Sequence, residues 1–219
     1  MVTHLDAGLW WFDDLRMSNA FLVDGDGLSL VDAGTPGDAD RIRSGLREAG
    51  YDLSDVDRVL LTHYDYDHVG ALSRLTPALD APVVAGEPDA SFLAGRQRPP
   101  LTNHKGLLQR AAGLFLSRPS LPVETVRDGD QVGGFTAVHT PGHTPGHTAF
   151  VNERAALLGD LVRESGGELR YSPWVMSYDT DAVRESVRTL AEAAPRFSVA
   201  CPGHGTPIDE GYAALRALL

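Results

Sequence analysis

The stretch Thr62–Gly70 reads THYDYDHVG and carries four side chains that can bind a metal ion. They are His63, Asp65, Asp67 and His68. The apolar run Val56–Leu61, typical of a buried strand, comes directly before them, and α/β proteins place their sites at the carboxyl ends of strands. If the chain stays extended, positions 63, 65 and 67 share one side, and His68 begins the next helix. Imidazole and carboxylate groups are common zinc ligands, so the stretch predicts a metal site rather than a solvated acidic loop.

A second histidine-rich stretch, His139–His147, reads HTPGHTPGH. Its two Pro-Gly pairs exclude a helix and hold the backbone in turns. Three histidines exceed what one site can use at this spacing, so we interpret His139 and His147 as structural or supporting residues and not as ligands. Asp160 follows an apolar strand, and His204 lies in a Pro-Gly-His-Gly loop after another strand.

Apolar spacing along the chain alternates between strand and helix patterns. Asp24–Gly27 predicts the turn of a hairpin between two apolar strands. Further strands are predicted at Val56–Leu61, Ala81–Ala85, Phe135–Thr140, Ala149–Asn152, Ala155–Leu158 and Ser198–Cys201. Helices are predicted at Asp38–Ala49, from Val69 to Leu75, at Gly106–Ser117, from about Asp179 to Ala194, and from about Asp209. Strands interleaved with helices in two halves indicate one α/β domain over residues 1–219, with two packed sheets covered by helices.

The composition excludes several classes of protein. A chain of 219 residues with 42% hydrophobic and 22% charged residues fits a loop-rich globular enzyme and not a coiled coil, a collagen or a disordered tail. One cysteine, Cys201, excludes an internal disulfide and a cysteine-based zinc site. No apolar run approaches the ~20 residues of a membrane span, and the first residues are acidic where a signal peptide is basic. We therefore expect a cytoplasmic protein without a membrane partner.

The charge is strongly negative and unevenly composed. A formal charge of −11 repels polyanions and argues against nucleic acid as a partner. The expected partner is a small-molecule substrate. Lys105 is the only lysine, and the other 18 basic residues are arginines. An acidic, arginine-rich chain is typical of halophilic adaptation, and it is equally typical of a GC-rich genome.

One segment departs from the acidic background. Between Ala90 and Val123 there is no acidic residue, whereas five basic residues occur: Arg96, Arg98, Lys105, Arg110 and Arg118. The spacing of the leucines in Gly106–Ser117 predicts an amphipathic helix. We interpret residues 90–122 as a basic amphipathic insertion that packs on the body of the domain or on a second subunit of a homodimer. The alternative is a surface that binds phosphates.

The order of these motifs resembles that of the metallo-β-lactamase superfamily, whose fold is a four-layer αββα sandwich. The matching motifs are Asp32-Ala33-Gly34, THYDYDHVG, TPGH, Gly159-Asp160 and PGHG, and TPGHTPGH is similar to the glyoxalase II-like members. The resemblance implies one metal ion at His63, position 65 and His143. It implies a second ion at Asp67, His68 and His204, with Asp160 bridging the two. Asp32 is implied to orient the ligand histidines through hydrogen bonds.

Position 65 departs from the family signature H-x-H-x-D-H, because Asp65 replaces the middle histidine and adds a negative charge. Three outcomes are open. Zinc binds to two histidines and one carboxylate, the site prefers manganese or iron, or the first site weakens and leaves a mononuclear enzyme built on Asp67 and His68.

The resemblance implies a dinuclear metallo-hydrolase with two divalent ions, zinc foremost and manganese or iron as alternatives. Such ions lower the pKa of a bridging water from ~15.7 to near ~7, and Asp67 or Asp160 would orient the resulting nucleophile. The first hypothesis is cleavage of a small ester, thioester, lactone or amide by a metal-bound hydroxide. The alternatives are a phosphodiesterase or nuclease, an Fe(II)-dependent enzyme similar to persulfide dioxygenases, and a non-catalytic metal-binding protein. Tyr171 and Trp174 are expected as walls of the substrate pocket.

Overall fold

Two mixed β-sheets lie face to face at the centre of the molecule. The computed structural model describes residues 1–219. Seven strands form the first sheet in chain order: β1 (Val2–Asp6), β2 (Leu9–Phe12), β3 (Phe21–Gly25), β4 (Gly27–Val31), β5 (Arg58–Leu61), β6 (Val83–Gly86) and β7 (Val123–Val126). The second sheet contains β8 (Gln131–Val132), β9 (Phe135–His139), β10 (Thr148–Val151), β11 (Ala155–Gly159), β14 (Val199–Pro202) and β15 (Ile208–Asp209), in the order β15-β14-β11-β10-β9-β8. A separate hairpin consists of β12 (Val162–Ser165) and β13 (Glu168–Tyr171).

Helices lie on the outer sides of the sheets and in the loops at the strand ends. They are α1 (Ala39–Glu48), α2 (Tyr66–Val69), α3 (Leu72–Leu75), α4 (Asp89–Leu93), α5 (His104–Ala112), α6 (Thr180–Ala193) and α7 (Gly211–Arg216). Short 3-10 turns occur at Pro36–Asp38, Leu53–Asp55, Gly113–Phe115 and Trp174–Met176. None of the helices is both long and apolar enough to cross a lipid bilayer.

Three apolar clusters separate the four layers of the fold. Strand β5 shows the division, because Leu60 belongs to the cluster between the sheets whereas Val59 and Leu61 belong to the cluster under α1 and α3. Successive side chains of a strand point to opposite faces, so a strand buried on both faces has an unbroken apolar sequence. A third cluster lies between the second sheet and helices α6 and α7. These layers confirm the predicted αββα sandwich.

The predicted helix from Val69 to Leu75 is two short helices, α2 and α3. At the break, the backbone amides of Gly70 and Ala71 donate to the carbonyl oxygens of Gly34 and Ala33, at 2.8 and 3.2 Å. These amides therefore hydrogen-bond to the loop after β4 and not within a continuous helix. A side chain at Gly70 would collide with Pro36, so this glycine permits the close approach of the two loops. The break keeps the loop after β5 beside the loop after β4.

Helix α5 presents the opposite face from the one that its leucines predict. Leu107 and Leu108 are about half exposed, and in the following 3-10 turn Leu114 is 84% and Phe115 is 76% exposed. The buried residues of α5 are instead Lys105, Gly106 and Gln109. The leucines therefore do not pack on the body of the domain, and their packing on a second subunit stays a prediction. Lys105, counted above as one of five charges of a basic segment, is inside the molecule.

Candidate metal centre

The loops at the strand ends bring all seven predicted ligand residues into one buried centre. The first ligand group contains His63, Asp65, His143 and Asp160, and the second ligand group contains Asp67, His68 and His204. Within each group the ligand atoms lie within 4.8 Å of one another. Asp160 links the groups, because its Oδ2 lies 3.1 Å from His204 Nε2 and 3.5 Å from His143 Nε2. Which of these residues bind a metal ion stays a prediction.

The four imidazoles share one arrangement of their two nitrogens. Each Nδ1 hydrogen-bonds to a group on the outside of the centre: His63 to Thr62 Oγ1 at 3.0 Å, His68 to Asp32 Oδ2 at 2.8 Å, His143 to Ser172 Oγ at 2.9 Å and His204 to the Met17 carbonyl at 2.9 Å. An Nδ1 that faces a carboxylate or carbonyl oxygen must carry the proton, as in His68 and His204. When these two rings are neutral, their Nε2 atoms offer a lone pair towards the centre, which is the usual arrangement of metal-binding histidines.

The donor set fits a divalent cation. Three buried atoms that face the centre have no hydrogen-bond partner: His63 Nε2, His68 Nε2 and Asp160 Oδ1. Buried polar atoms without partners cost free energy, so their presence together indicates a ligand that satisfies all three. A side chain at Gly203 would collide with Asp160 Oδ1, and this explains the glycine in the Pro-Gly-His-Gly loop.

Asp32 supports this centre from behind. Its carboxylate accepts hydrogen bonds from the Thr62 amide at 2.9 Å, from Thr62 Oγ1 at 2.7 Å and from His68 Nδ1 at 2.8 Å. Because the Thr62 hydroxyl donates to Asp32, its oxygen accepts from His63 Nδ1, and one carboxylate thereby orients two imidazoles. Asp32 adopts a left-handed backbone conformation with φ of 57°, which aspartate tolerates better than most residues.

Charges within the centre shift the pKa values of its members. Burial alone raises the pKa of Asp160, but His68, His204 and His143 outweigh burial and hold this pKa well below its usual range. Burial alone lowers the pKa of His68, but the carboxylates of Asp160 and Asp32 outweigh it and hold this pKa well above the ordinary value. The centre therefore favours an ionised Asp160 next to a positive charge.

Sequence reasoning missed two residues of α5 that contact Asp65. The Lys105 ammonium donates to Asp65 Oδ2, and Gln109 Nε2 donates to Asp65 Oδ1 at 2.8 Å. Lys105 Nζ also lies 3.3 Å from His143 Nε2. Burial raises the pKa of Asp65, but Lys105, His143 and His63 outweigh it, so the pKa lies well below its usual range. The sequence offered one signal: Lys105 is a single lysine among 18 arginines. It stands four positions before Gln109, so the two side chains share one face of a helix.

Asp89 is a third missed residue, and it ties the two ligand loops together. Its Oδ2 accepts from the Tyr64 amide at 2.8 Å and from Thr144 Oγ1 at 2.7 Å, and its Oδ1 accepts from the Gly146 amide at 2.9 Å. Burial raises the pKa of Asp89, and these hydrogen bonds offset the rise in part. Asp89 thus fixes the loop of His63 against the loop of His143.

The other two histidines of the stretch His139–His147 lie outside both ligand groups. His139 is exposed, and its Nε2 bonds to the Pro145 carbonyl at 3.1 Å. His147 is buried, bonds through Nδ1 to Thr140 Oγ1 at 2.8 Å, and stacks on His63 with ring centroids 5.3 Å apart. Burial and the neighbouring His63 lower the pKa of His147 well below its ordinary value, so its ring is a neutral support for His63.

A cavity of about 230 Å³ opens beside the centre. It is lined by Asp160, Val162, Arg163, Ser172, Pro173, Met176 and His204. Tyr171 and Trp174, expected as walls, do not line it. The Tyr171 hydroxyl donates to the Leu218 carbonyl at 2.7 Å, and Trp174 is 68% exposed and stacked on His104. The expectation for these two aromatic residues is therefore wrong.

Comparison with known proteins agrees with the motifs and the geometry. Residues 13–204 match the family described as the metallo-beta-lactamase superfamily. The chain belongs to this superfamily. Among relatives of this superfamily member, YobT of Bacillus subtilis (strain 168) is 30% identical over an alignment of 213 residues that covers 90% of this chain and 87% of YobT. The protein named "Probable metallo-hydrolase YqjP" of the same organism is 28% identical over 89% of this chain and 69% of its own length.

Solved structures of other superfamily members share the fold. A metallo-beta-lactamase family protein, TTHA1429 from Thermus thermophilus, superposes with a TM-score of 0.72 at 25% identity, over 96% of this chain and 78% of its own. TTHA1623, crystallised in a di-iron-bound form, superposes with a TM-score of 0.68 at 30% identity, over 98% of this chain and 96% of its own. The four-layer fold and a metallo-hydrolase family are thereby established.

Proposed function

We propose that this superfamily member is a metal-dependent hydrolase that cleaves a small ester, thioester, lactone or amide. The observation that carries the proposal is the set of four imidazoles whose Nε2 atoms and one bridging carboxylate face a single buried centre. The adjoining cavity of about 230 Å³ suits a small substrate and is below the usual range of drug-sized sites.

The metal would be held by Asp67, His68, His204 and Asp160, with His63 and His143 beside them. When bound, a divalent ion lowers the pKa of a coordinated water from ~15.7 to near ~7 and polarises a carbonyl oxygen. Nitrogen and oxygen ligands suit zinc. Iron is the second candidate, because the relative TTHA1623 has been crystallised with two irons and spans nearly the whole chain. Elemental analysis of the purified protein distinguishes the two metals.

Two carboxylates of the chain can position the attacking water. Asp67 is the candidate proton acceptor, because its Oδ2 lies at the partly exposed edge of the centre, 3.5 Å from His204 Nε2. Asp160 is more enclosed, and it holds His204 and His143 in place through Oδ2. Arg163, in the wall of the cavity, offers a guanidinium to an oxygen of the substrate.

The test is hydrolysis of p-nitrophenyl acetate, an acyl thioester and a simple lactone, before and after metal removal with a chelator. We expect activity on at least one of these substrates, loss of it in the chelator and recovery with zinc or iron. Asp67→Asn is expected to lower kcat by about 100-fold or more with the fold intact. Tyr171→Phe is the matched control, because this hydroxyl bonds to Leu218 away from the cavity.

The rival reactions predict other results. The arginines of the basic segment line a different cavity, of about 390 Å³, that includes Arg98, Arg110 and Arg118 but neither Asp160 nor His204. This separation disfavours the phosphodiesterase. Turnover of bis(p-nitrophenyl) phosphate without turnover of any ester would overturn the proposal. Oxygen consumption by the iron-loaded protein on a persulfide would favour the oxygenase instead.

A further inference from the structure

We propose that the Lys105 ammonium takes the place of one of the two metal ions, so that this centre binds a single divalent cation in the second ligand group. The inference rests on the proposed metal centre and is independent of which bond the enzyme cleaves. Four observations support it: how Asp65 is bonded, where the ammonium lies, how α5 is held, and how the charges balance.

Both oxygens of Asp65 are already bonded. Lys105 donates to Oδ2, and Gln109 donates to Oδ1 at 2.8 Å. The carboxylate is buried, so solvent does not compete for these bonds. Asp65 is therefore held as the partner of a buried ion pair, and a metal ion would have to displace the ammonium to coordinate Oδ2.

The ammonium lies among the ligand atoms of the first group. Besides Asp65 Oδ2 it contacts His143 Nε2 at 3.3 Å, and Asp65 Oδ2 lies 3.5 Å from His63 Nε2. A cation bound to the same oxygen and nitrogen would sit against a positive charge at short distance in a buried site, where repulsion is poorly screened. Lys105 and a first metal ion thus exclude each other.

Helix α5 is fixed in a position that keeps Lys105 in place. The Asn103 side chain caps the helix by accepting from the Lys105 amide at 2.9 Å and donates to the Tyr178 carbonyl at 3.1 Å. Gln109 Nε2 donates to the Tyr64 carbonyl at 2.6 Å, and its Oε1 accepts from the Tyr178 hydroxyl at 2.6 Å. Lys105 is only 2% exposed, so it is part of the packed interior and is not a surface side chain that drifts into the site.

The charges balance with one metal ion. The ammonium of Lys105 neutralises Asp65, and the carboxylates of Asp67 and Asp160 then match the charge of one divalent cation. Two of the three unpartnered atoms, His68 Nε2 and Asp160 Oδ1, lie 3.3 Å apart, and we place the single ion beside them. The third, His63 Nε2, lies 4.0 Å from Asp160 Oδ2.

Metal stoichiometry tests the inference. Purified protein, stripped with a chelator and reloaded with excess Zn²⁺, is passed through a desalting column and its bound zinc is counted by plasma mass spectrometry. A Co²⁺ titration followed by visible absorption gives an independent end point. We expect one equivalent for the natural chain and two for Asp65→His/Lys105→Ala, which restores a histidine and removes the ammonium. Leu107→Ala, a half-exposed position on the same helix, is the matched control and should stay at one.

Lys105→Met provides a second variant if the double variant does not fold, because methionine fills much of the lysine volume without its charge. It is expected to bind two equivalents through His63, Asp65 and His143. Two equivalents in the natural chain, or one equivalent in both folded variants, would overturn the inference. A natural chain that binds one ion but hydrolyses none of the substrates would support the single-ion centre and contradict the proposed function. A natural chain that binds no ion would contradict both.

Discussion

At position 65, an aspartate in place of a histidine creates the need for a buried counter-charge. A neutral imidazole can be buried without a counter-charge, whereas a buried carboxylate needs one. Lys105 supplies it from 40 positions away, and Gln109 satisfies the remaining oxygen. The replacement at position 65 is visible in the sequence, but its partner is not, because no local pattern joins Asp65 to a lysine in a distant helix.

The Asp65–Lys105 pair should be strongly coupled. Asp65→Asn leaves a buried ammonium without its carboxylate, and Lys105→Met leaves a buried carboxylate without its ammonium, so each is expected to cost about 3–5 kcal/mol. The double variant Asp65→Asn/Lys105→Met removes both charges, and its loss of unfolding free energy should be clearly smaller than the sum of the two single losses. Urea unfolding of the metal-stripped proteins measures these values. Strictly additive losses would show that the pair does not act as a unit.

His68 should make the stability of the metal-stripped protein depend on pH. The pKa of His68 is raised in the folded state. Its contribution to the free energy of unfolding is therefore fully present below the pKa of about 6.5 in the unfolded state, and it is lost as the pH rises through the pKa of the folded state. We expect the melting temperature in a chelator to fall between neutral and alkaline pH. In the same pH scan, the melting temperature of His68→Gln should not show this fall. An identical dependence of melting temperature on pH in both proteins would contradict the assignment of the fall to His68.

At the scale of the elements, the central strands and helix α6 could be predicted. The orientation of α5 could not, and neither could the outer strands β1, β2 and β7 or the hairpin of β12 and β13. Strand β5 is a simple apolar run, and α6 begins after Asp179, whose side chain accepts from the amides of Asp181 and Ala182. In α5, the spacing of leucines indicated a buried stripe. The polar side of this helix faces inward because Lys105 and Gln109 bond to Asp65, a tertiary interaction that outweighs the exposure of two leucines.

The loop after β14 should tolerate no side chain at its first glycine. In Gly203→Ala the added Cβ would collide with Asp160 Oδ1 and press on His68 Cε1. We expect a loss of metal affinity of about tenfold or more, in line with changes that misplace metal ligands. Isothermal titration with Zn²⁺ measures it. Gly113→Ala, which meets no atom within 4 Å, is the control and should bind as the natural chain does.

At the scale of the whole molecule, the order of the motifs predicted the four-layer fold and the meeting of the ligand residues. Each motif follows a strand, and strand ends meet at one edge of the sandwich. The contacts that hold the loops together, such as those of Asp89 and of Ser18 with the Asp67 carbonyl, were not predictable. They join residues far apart in sequence and depend on the finished packing.

The surplus of acidic residues should make stability depend on salt. With a formal charge of −11, the folded chain repels itself at low ionic strength, and salt screens this repulsion. We expect the melting temperature to rise between low and molar KCl if the composition is a halophilic adaptation. A flat response would instead leave the composition of the genome as the explanation for the arginine bias.

The seven predicted ligand residues are divided between the two halves of the chain. His63, Asp65, Asp67 and His68 come from the part that forms the first sheet, and the remaining three follow strands of the second. Asn19 joins the halves by donating to the carbonyls of Pro202 and Gly205 at 2.9 and 2.7 Å. During synthesis, a chain that has emerged only as far as β7 therefore lacks His143, Asp160 and His204 altogether. The nascent chain thus has the full predicted ligand set only after both sheets have docked, and a metal ion bound by this set would be selected by the folded protein.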